Sequence, residues 1–118
     1  MNMKVSREFT FDAAHKLADH PGKCAHLHGH TYTLIVTVTG EPDKSGMVID
    51  FIDMKRIVTT VIKELDHGYL NEFYKTPTVE NVAADLFEKL EKEFKKVPVT
   101  VVSIVLYEGK KCWVEVIP

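Results

Sequence analysis

His30-Thr-Tyr-Thr-Leu-Ile-Val-Thr-Val-Thr-Gly40 is dense in Thr, Val, Ile and Tyr, side chains that suit a pleated surface. The turn-prone Glu41-Pro-Asp-Lys-Ser-Gly46 follows it, so this run predicts a β-strand and its turn. Upstream, Met3, Val5, Phe9 and Phe11 share one parity, with Arg7 breaking the stripe, which is the period of a half-buried strand. Ala13–Gly29 holds Pro21, Gly22, Gly29 and four histidines without either regular period and reads as a long loop. Loops of that length inside a compact domain usually carry function.

Downstream, Met47–Phe51 is a short apolar run, expected to be a third strand or a strand extension, and Asp53 opens a helical pattern. Met54, Ile57, Val58, Val61, Ile62 and Leu65 fall on one helix face, and that helix is expected to end near Asp66. A second helix is expected with Thr76 as N-cap and Pro77 at its first position. Val79, Val82, Ala83, Leu86, Phe87, Leu90 and Phe94 line its apolar face, and its charged far face is solvated. Val99–Glu108 and Cys112–Ile117 flank Gly109-Lys-Lys111, which predicts a hairpin. The result is an α+β arrangement of ββααββ order, and 118 residues is the length of one domain, 1–118.

With 17 acidic against 15 basic residues, the chain has no global attraction for phosphate polymers or anionic membranes, so no nucleic-acid partner is expected. The N-terminal residues are polar and enter a strand pattern at once, and no apolar stretch is long enough for a bilayer. A cytoplasmic protein without leader or membrane span is therefore expected. Cys24 and Cys112 lack metal-type C-x-x-C spacing; two reduced thiols are the expectation and a disulfide between them the alternative.

Five of the six histidines lie between His15 and His30, a density that packing does not explain. In Cys24-Ala-His-Leu-His-Gly-His30, the strand period points His28 and His30 to one side, and Gly29 allows close backbone approach. His15, after the first strand, is the choice for a third ligand if the two strands pair antiparallel. Three neutral imidazoles suit zinc and leave a fourth position for water or substrate, the arrangement of a catalytic site. The competing reading is a closed structural zinc site with Cys24 as fourth ligand. His20 and His26 are read as loop histidines outside the metal shell.

Beside a cation, Cys24 would have a depressed thiol pKa and could serve as base or nucleophile. Cys112, in an apolar strand next to Trp113, reads as a buried small hydrophobe. At a helix end the carboxylate of Asp66 opposes the macrodipole, and its neighbour His67 makes the dipeptide a candidate for proton transfer. Glu108, at a strand end, would suit the paired N–H donors of a guanine or pterin edge; an exposed strand-end glutamate is the plainer reading.

Taken together, Phe11-Asp-Ala-Ala-His15, Cys24-x-x-x-His28-Gly-His30, Gly46-Met-Val-Ile-Asp-Phe51, Leu65-Asp-His67, Pro77-Thr-Val-Glu-Asn81 and Glu108 resemble the 6-pyruvoyltetrahydropterin synthase family over almost the whole chain. The resemblance implies the tunnelling fold: a four-stranded antiparallel sheet with two helices on one face, closed into a barrel by trimers that stack as a homohexamer. It implies zinc on His15, His28 and His30, Cys24 as catalytic base, Asp66 with His67 as a second proton-transfer pair, and a pterin held by Glu108 and Thr78. The implied substrate is 7,8-dihydroneopterin triphosphate, which loses triphosphate in lyase chemistry.

Three residues between the cysteine and His-Gly-His resemble the 6-carboxytetrahydropterin synthases, which release acetaldehyde and feed synthesis of queuosine-type deazaguanines. The 6-pyruvoyl activity is the near alternative. A non-catalytic structural-zinc protein, a zinc hydrolase and a pterin-binding module are the others.

Overall fold

The computed structural model describes residues 1–18 and 20–118, with Cys24 described by its backbone alone. Strand β1 (Met3–His15) and strand β2 (His28–Gly40) pair antiparallel along their full length, from Met3 opposite Gly40 to His15 opposite His28. β4 (Thr100–Glu108) lies on the other side of β2, with Tyr32 opposite Glu108, and β5 (Cys112–Val116) returns beside β4 as a hairpin. Between β2 and β4 the chain makes helix α1 (Phe51–Ile62), the two-residue strand β3 (Gly68–Tyr69) and helix α2 (Val79–Phe94). β3 pairs in parallel with Ala13 and Ala14, giving a sheet of order β3-β1-β2-β4-β5.

The sheet therefore has five strands where the sequence pattern predicts four, because a two-residue strand is too short to show a period. The predicted loop is also shorter than Ala13–Gly29, since β1 runs on to His15 and β2 starts at His28. Its end residues gain backbone partners from a neighbouring strand, which local sequence does not report.

One face of the sheet is apolar and carries both helices. Phe11, Leu34, Val36, Val38 and Leu106 are buried there against Met54 and Val58 of α1 and Leu86 and Leu90 of α2. A register shift at Thr37/Val38 leaves Val102 without a Cα partner. Val101 and Ile104, three positions apart, thus both point into the core. Arg7 interrupts the apolar stripe without a buried charge, because its guanidinium donates to the Phe51 carbonyl (2.7 Å) at the start of α1. The opposite face is polar, with Ser6 and Thr37 sharing a 2.6 Å hydrogen bond across β1 and β2. Substituting Leu34→Ala is expected to lower unfolding free energy by about 3 kcal/mol, read by urea denaturation at fixed protein concentration. A loss below about 1 kcal/mol would contradict this packing.

Capping decides where the helices begin. Asp50 accepts from the Ile52 N–H (2.8 Å), so α1 starts at Phe51 and Met47–Phe51 is no strand. α1 stops at Ile62 and a turn carries the chain on to Asp66, four residues past the helix. At α2, Thr78 accepts from the Asn81 N–H (3.2 Å), and the Asn81 side chain donates to the Thr76 carbonyl (2.8 Å). This two-way clasp makes Thr78 the N-cap in place of Thr76 and leaves Pro77 outside the helix. Cys112 is exposed, not buried: it starts an edge strand beside the exposed Lys110 and Lys111. No helix among the described residues is long and apolar enough to cross a membrane.

Candidate active site

Strand pairing assembles the histidines. His28 and His30 alternate with Gly29 on β2 and share the face of Tyr32 and Leu34, while register sets His15 opposite His28 and Ala13 opposite His30. The three rings meet edge to face, with centroids 4.6 Å (His15–His28), 4.9 Å (His28–His30) and 5.4 Å (His15–His30) apart. His15 is fully buried.

Their protons are placed by backbone carbonyls, which can only accept. His15 Nδ1–H donates to the Pro77 carbonyl (2.9 Å) and His28 Nδ1–H to the His26 carbonyl (2.7 Å). In the neutral ring each Nε2 then carries a lone pair. These two lone pairs face each other at 3.0 Å, a contact that two acceptors cannot satisfy. His30 Nε2 is buried and has no hydrogen-bond partner among the described residues. A single cation would satisfy all three nitrogens, and imidazoles held from behind by carbonyls are the usual form of metal-ligating histidines. The donor set therefore fits a metal ion held by His15, His28 and His30.

Glu108 also belongs to this cluster. Its Oε2 is 3.8 Å from His15 Nε2 and its Oε1 is 3.7 Å from His30 Nε2. Burial lowers the pKa of His30, with the Glu108 charge acting against it and the other two imidazoles with it. Tyr32 closes the cluster from below: its ring stacks on Phe11 at 5.1 Å, and its hydroxyl is 3.4 Å from His15 Nδ1. Burial raises the Tyr32 pKa, the Glu108 charge adding to it, so the phenol stays protonated.

Asp66 and His67 lie on the outer edge of β1. The Asp12 N–H donates to Asp66 Oδ1 (3.0 Å), and the Asp12 carbonyl accepts from the His67 N–H (2.6 Å). The dipeptide thus completes the edge of β1 just before β3 continues it, a structural reason for a carboxylate that a helix end would not favour. His67 takes φ +59°, the left-handed region that is costly for a non-glycine residue. Gly68 follows because a Cβ there would meet the Leu65 carbonyl oxygen at 3.0 Å. Asp66 Oδ1 lies 3.1 Å from His67 Nδ1. The Asp12 N–H holds the Asp66 carboxyl below its ordinary range, slight burial opposing and His67 adding to the effect. It therefore stays ionised and can fix the His67 tautomer. His67, Asp12, Thr31 and His30 wall an open cleft of about 460 Å³, and no hydrogen bond or ring contact joins His67 to the triad among the described residues.

Thr78 has its hydroxyl engaged in the α2 cap and borders a second cleft of about 290 Å³ with Lys16 and His20. Cys24 lies in a 3-10 turn, Lys23–Ala25, and its side chain is outside the described residues. Sequence reasoning missed three supports: the Pro77 and His26 carbonyls behind the triad, and Asp12, which holds Asp66 and His67 together. All three lie in sequence motifs, Asp12 in Phe11-Asp-Ala-Ala-His15, His26 in Cys24–His30 and Pro77 in Pro77–Asn81, but nothing local marks them as supports.

The sequence profile of the 6-pyruvoyl tetrahydropterin synthase family matches residues 4–118. The 6-carboxy-5,6,7,8-tetrahydropterin synthase of Haemophilus influenzae is 46% identical over 100 residues, covering 80% of this chain and 70% of that protein. The dihydroneopterin monophosphate aldolase of Pyrococcus furiosus is 38% identical over 115 residues, covering 98% and 97%. The solved 6-pyruvoyl tetrahydropterin synthase of Caenorhabditis elegans superposes with a TM-score of 0.89 at 30% identity, covering 100% of this chain and 96% of that one. A histidine-lined T-fold defines the class, a pterin-processing enzyme. The chain belongs to the 6-pyruvoyl tetrahydropterin synthase family.

Proposed function

We propose that the chain, as a single domain over residues 1–118, is a zinc-dependent 6-carboxy-5,6,7,8-tetrahydropterin synthase. It acts on 7,8-dihydroneopterin triphosphate, releasing triphosphate and acetaldehyde. The observation that carries this reading is His30 Nε2, buried without a partner among the described residues, beside the two opposed lone pairs of His15 and His28. The three-residue spacing from Cys24 to His28 and the 46% identity to a relative of that name support the branch.

In this reading His15, His28 and His30 hold zinc, which when bound polarises the substrate's side-chain hydroxyls and acidifies the adjacent C–H bonds. Cys24 takes a proton from those carbons. His67, oriented by Asp66, moves a second proton. Glu108 accepts from the N–H donors of the pterin edge, and Thr78 contacts the substrate from the start of α2. The uncovered polar face and the terminal strands β3 and β5 support a barrel closed by neighbouring copies, a homohexamer of two trimers. A cytoplasmic location and a product destined for queuosine-type deazaguanines complete the reading.

A second reading rests on the Pyrococcus furiosus relative, whose length this chain matches almost throughout: cleavage of a carbon–carbon bond in dihydroneopterin monophosphate. Anaerobic incubation of the zinc-loaded protein with each phosphate ester, followed by mass spectrometry and an acetaldehyde assay, separates the two. A carboxytetrahydropterin with acetaldehyde from the triphosphate is the expected result. A 6-pyruvoyl product would move the chain to the other synthase branch, and turnover of the monophosphate alone would establish the aldolase reading. Both esters returned unchanged would leave the structural-zinc protein in front.

A further inference from the structure

We propose that Asn81 is a positioning residue for the metal ligand His15, acting through one peptide unit, that between Pro77 and Thr78. The inference rests on the zinc reading above and adds a residue outside the histidine cluster. Residues 74–78 form neither helix nor strand, so no ladder fixes their carbonyls. Yet the Pro77 carbonyl accepts the Nδ1 proton of the fully buried His15 at 2.9 Å. The other end of the same peptide unit aims it. The Thr78 N–H donates to the Thr76 carbonyl (2.9 Å), closing a tight turn over the buried Pro77. A trans peptide is planar and holds its N–H and C=O antiparallel. With the N–H on Thr76, the C=O points the other way, to His15.

Asn81 fixes the oxygen on which this turn closes. Its Nδ2–H donates to the same Thr76 carbonyl at 2.8 Å, while its backbone N–H donates to the Thr78 hydroxyl at 3.2 Å. It thus grips the residues on both sides of Pro77 from the first turn of α2, a helix anchored in the core by Val82, Ala83 and Leu86. The remaining side-chain hydrogen bond from this segment to α2 among the described residues, Tyr74 Oη to Asp85 Oδ2 (2.5 Å), lies three residues before Pro77. A histidine whose Nδ1 proton is pinned from behind presents Nε2 to the metal, and such outer partners sustain metal affinity. Helix stability alone does not ask for asparagine here. Asn81 is the third residue of α2, where an acidic side chain suits the macrodipole better. Asn81→Asp therefore separates the two roles: it favours the helix start but sets a carboxylate oxygen against the Thr76 carbonyl, two acceptors without a proton between them.

Three measurements on wild type, Asn81→Asp and Asn81→Ala test this without reference to turnover: zinc affinity by chelator competition, the urea midpoint of the metal-free protein, and magnetic resonance of its histidine ring N–H groups. Both variants are expected to hold zinc about 10-fold more weakly and to lose the His15 Nδ1–H signal that the wild type shows. Asn81→Asp is expected to keep the wild-type urea midpoint, which a general loss of stability would lower. Zinc affinity and the His15 signal unchanged in both variants would overturn the proposal and leave the zinc reading standing. Weaker zinc binding that accompanies a lowered midpoint in Asn81→Asp, with the His15 signal retained, would overturn it too. A wild type that takes up no zinc would overturn the zinc reading, and the His15 signal of the metal-free protein would still decide the role of Asn81.

Discussion

His28→Ala is expected to release the bound zinc and to lower kcat/KM on the pterin substrate by about 10³-fold or more, roughly 4 kcal/mol of transition-state stabilisation. The size follows from the position of the ring. His28 Nε2 faces His15 Nε2 at 3.0 Å, and its Nδ1 proton is fixed on the His26 carbonyl, so the ring is held with its lone pair at the metal position. His28 is only partly buried at the start of β2, so its removal should leave the core intact and the circular dichroism spectrum unchanged. Metal content by mass spectrometry and turnover on the same sample decide the matter. A variant that keeps one zinc per chain and turns over within tenfold of wild type would remove His28 from the site.

Cys24→Ala is expected to cost about 10³-fold in turnover while zinc content and thermal stability stay at wild-type values. This is the outcome for the proposed catalytic base, since the loss of a group that only exchanges protons with substrate leaves the fold alone. If Cys24 were a structural ligand, the same substitution would release zinc and loosen the segment around residues 23–30. Zinc lost together with stability would thus replace the enzyme reading by the structural-zinc one. A zinc hydrolase would instead keep its activity without Cys24.

The layers of the fold were legible because they rest on periodicity. Met54, Val58, Val61 and Ile62 face the core as their helical spacing requires, and Val82, Leu86 and Leu90 do the same on α2. On β2 the composition announced a strand, and the structure shows which alternate side chains, Tyr32, Leu34, Val36 and Val38, are buried. Element ends were less legible, since Thr76 and Thr78 are both good caps. The choice fell to Asn81, which bonds to both. Arg7, which breaks the stripe of β1, is explained only by the carbonyl of Phe51, 44 residues away.

By itself the sequence determined the helix faces that pack and the family the chain belongs to: the apolar periods, the clustered histidines and the six landmarks that resemble one family. Those are properties of residue type and short-range spacing. Tertiary structure alone decided what depends on distant backbone. The register of β1 against β2 brings His15 to His28, and the distant Pro77 carbonyl sets the His15 proton. The far end of β4 delivers Glu108 to the triad, and the edge of β1 holds Asp66 and His67 together through Asp12. Each is a contact between segments whose separation along the chain leaves no local pattern, so only the folded chain could establish it.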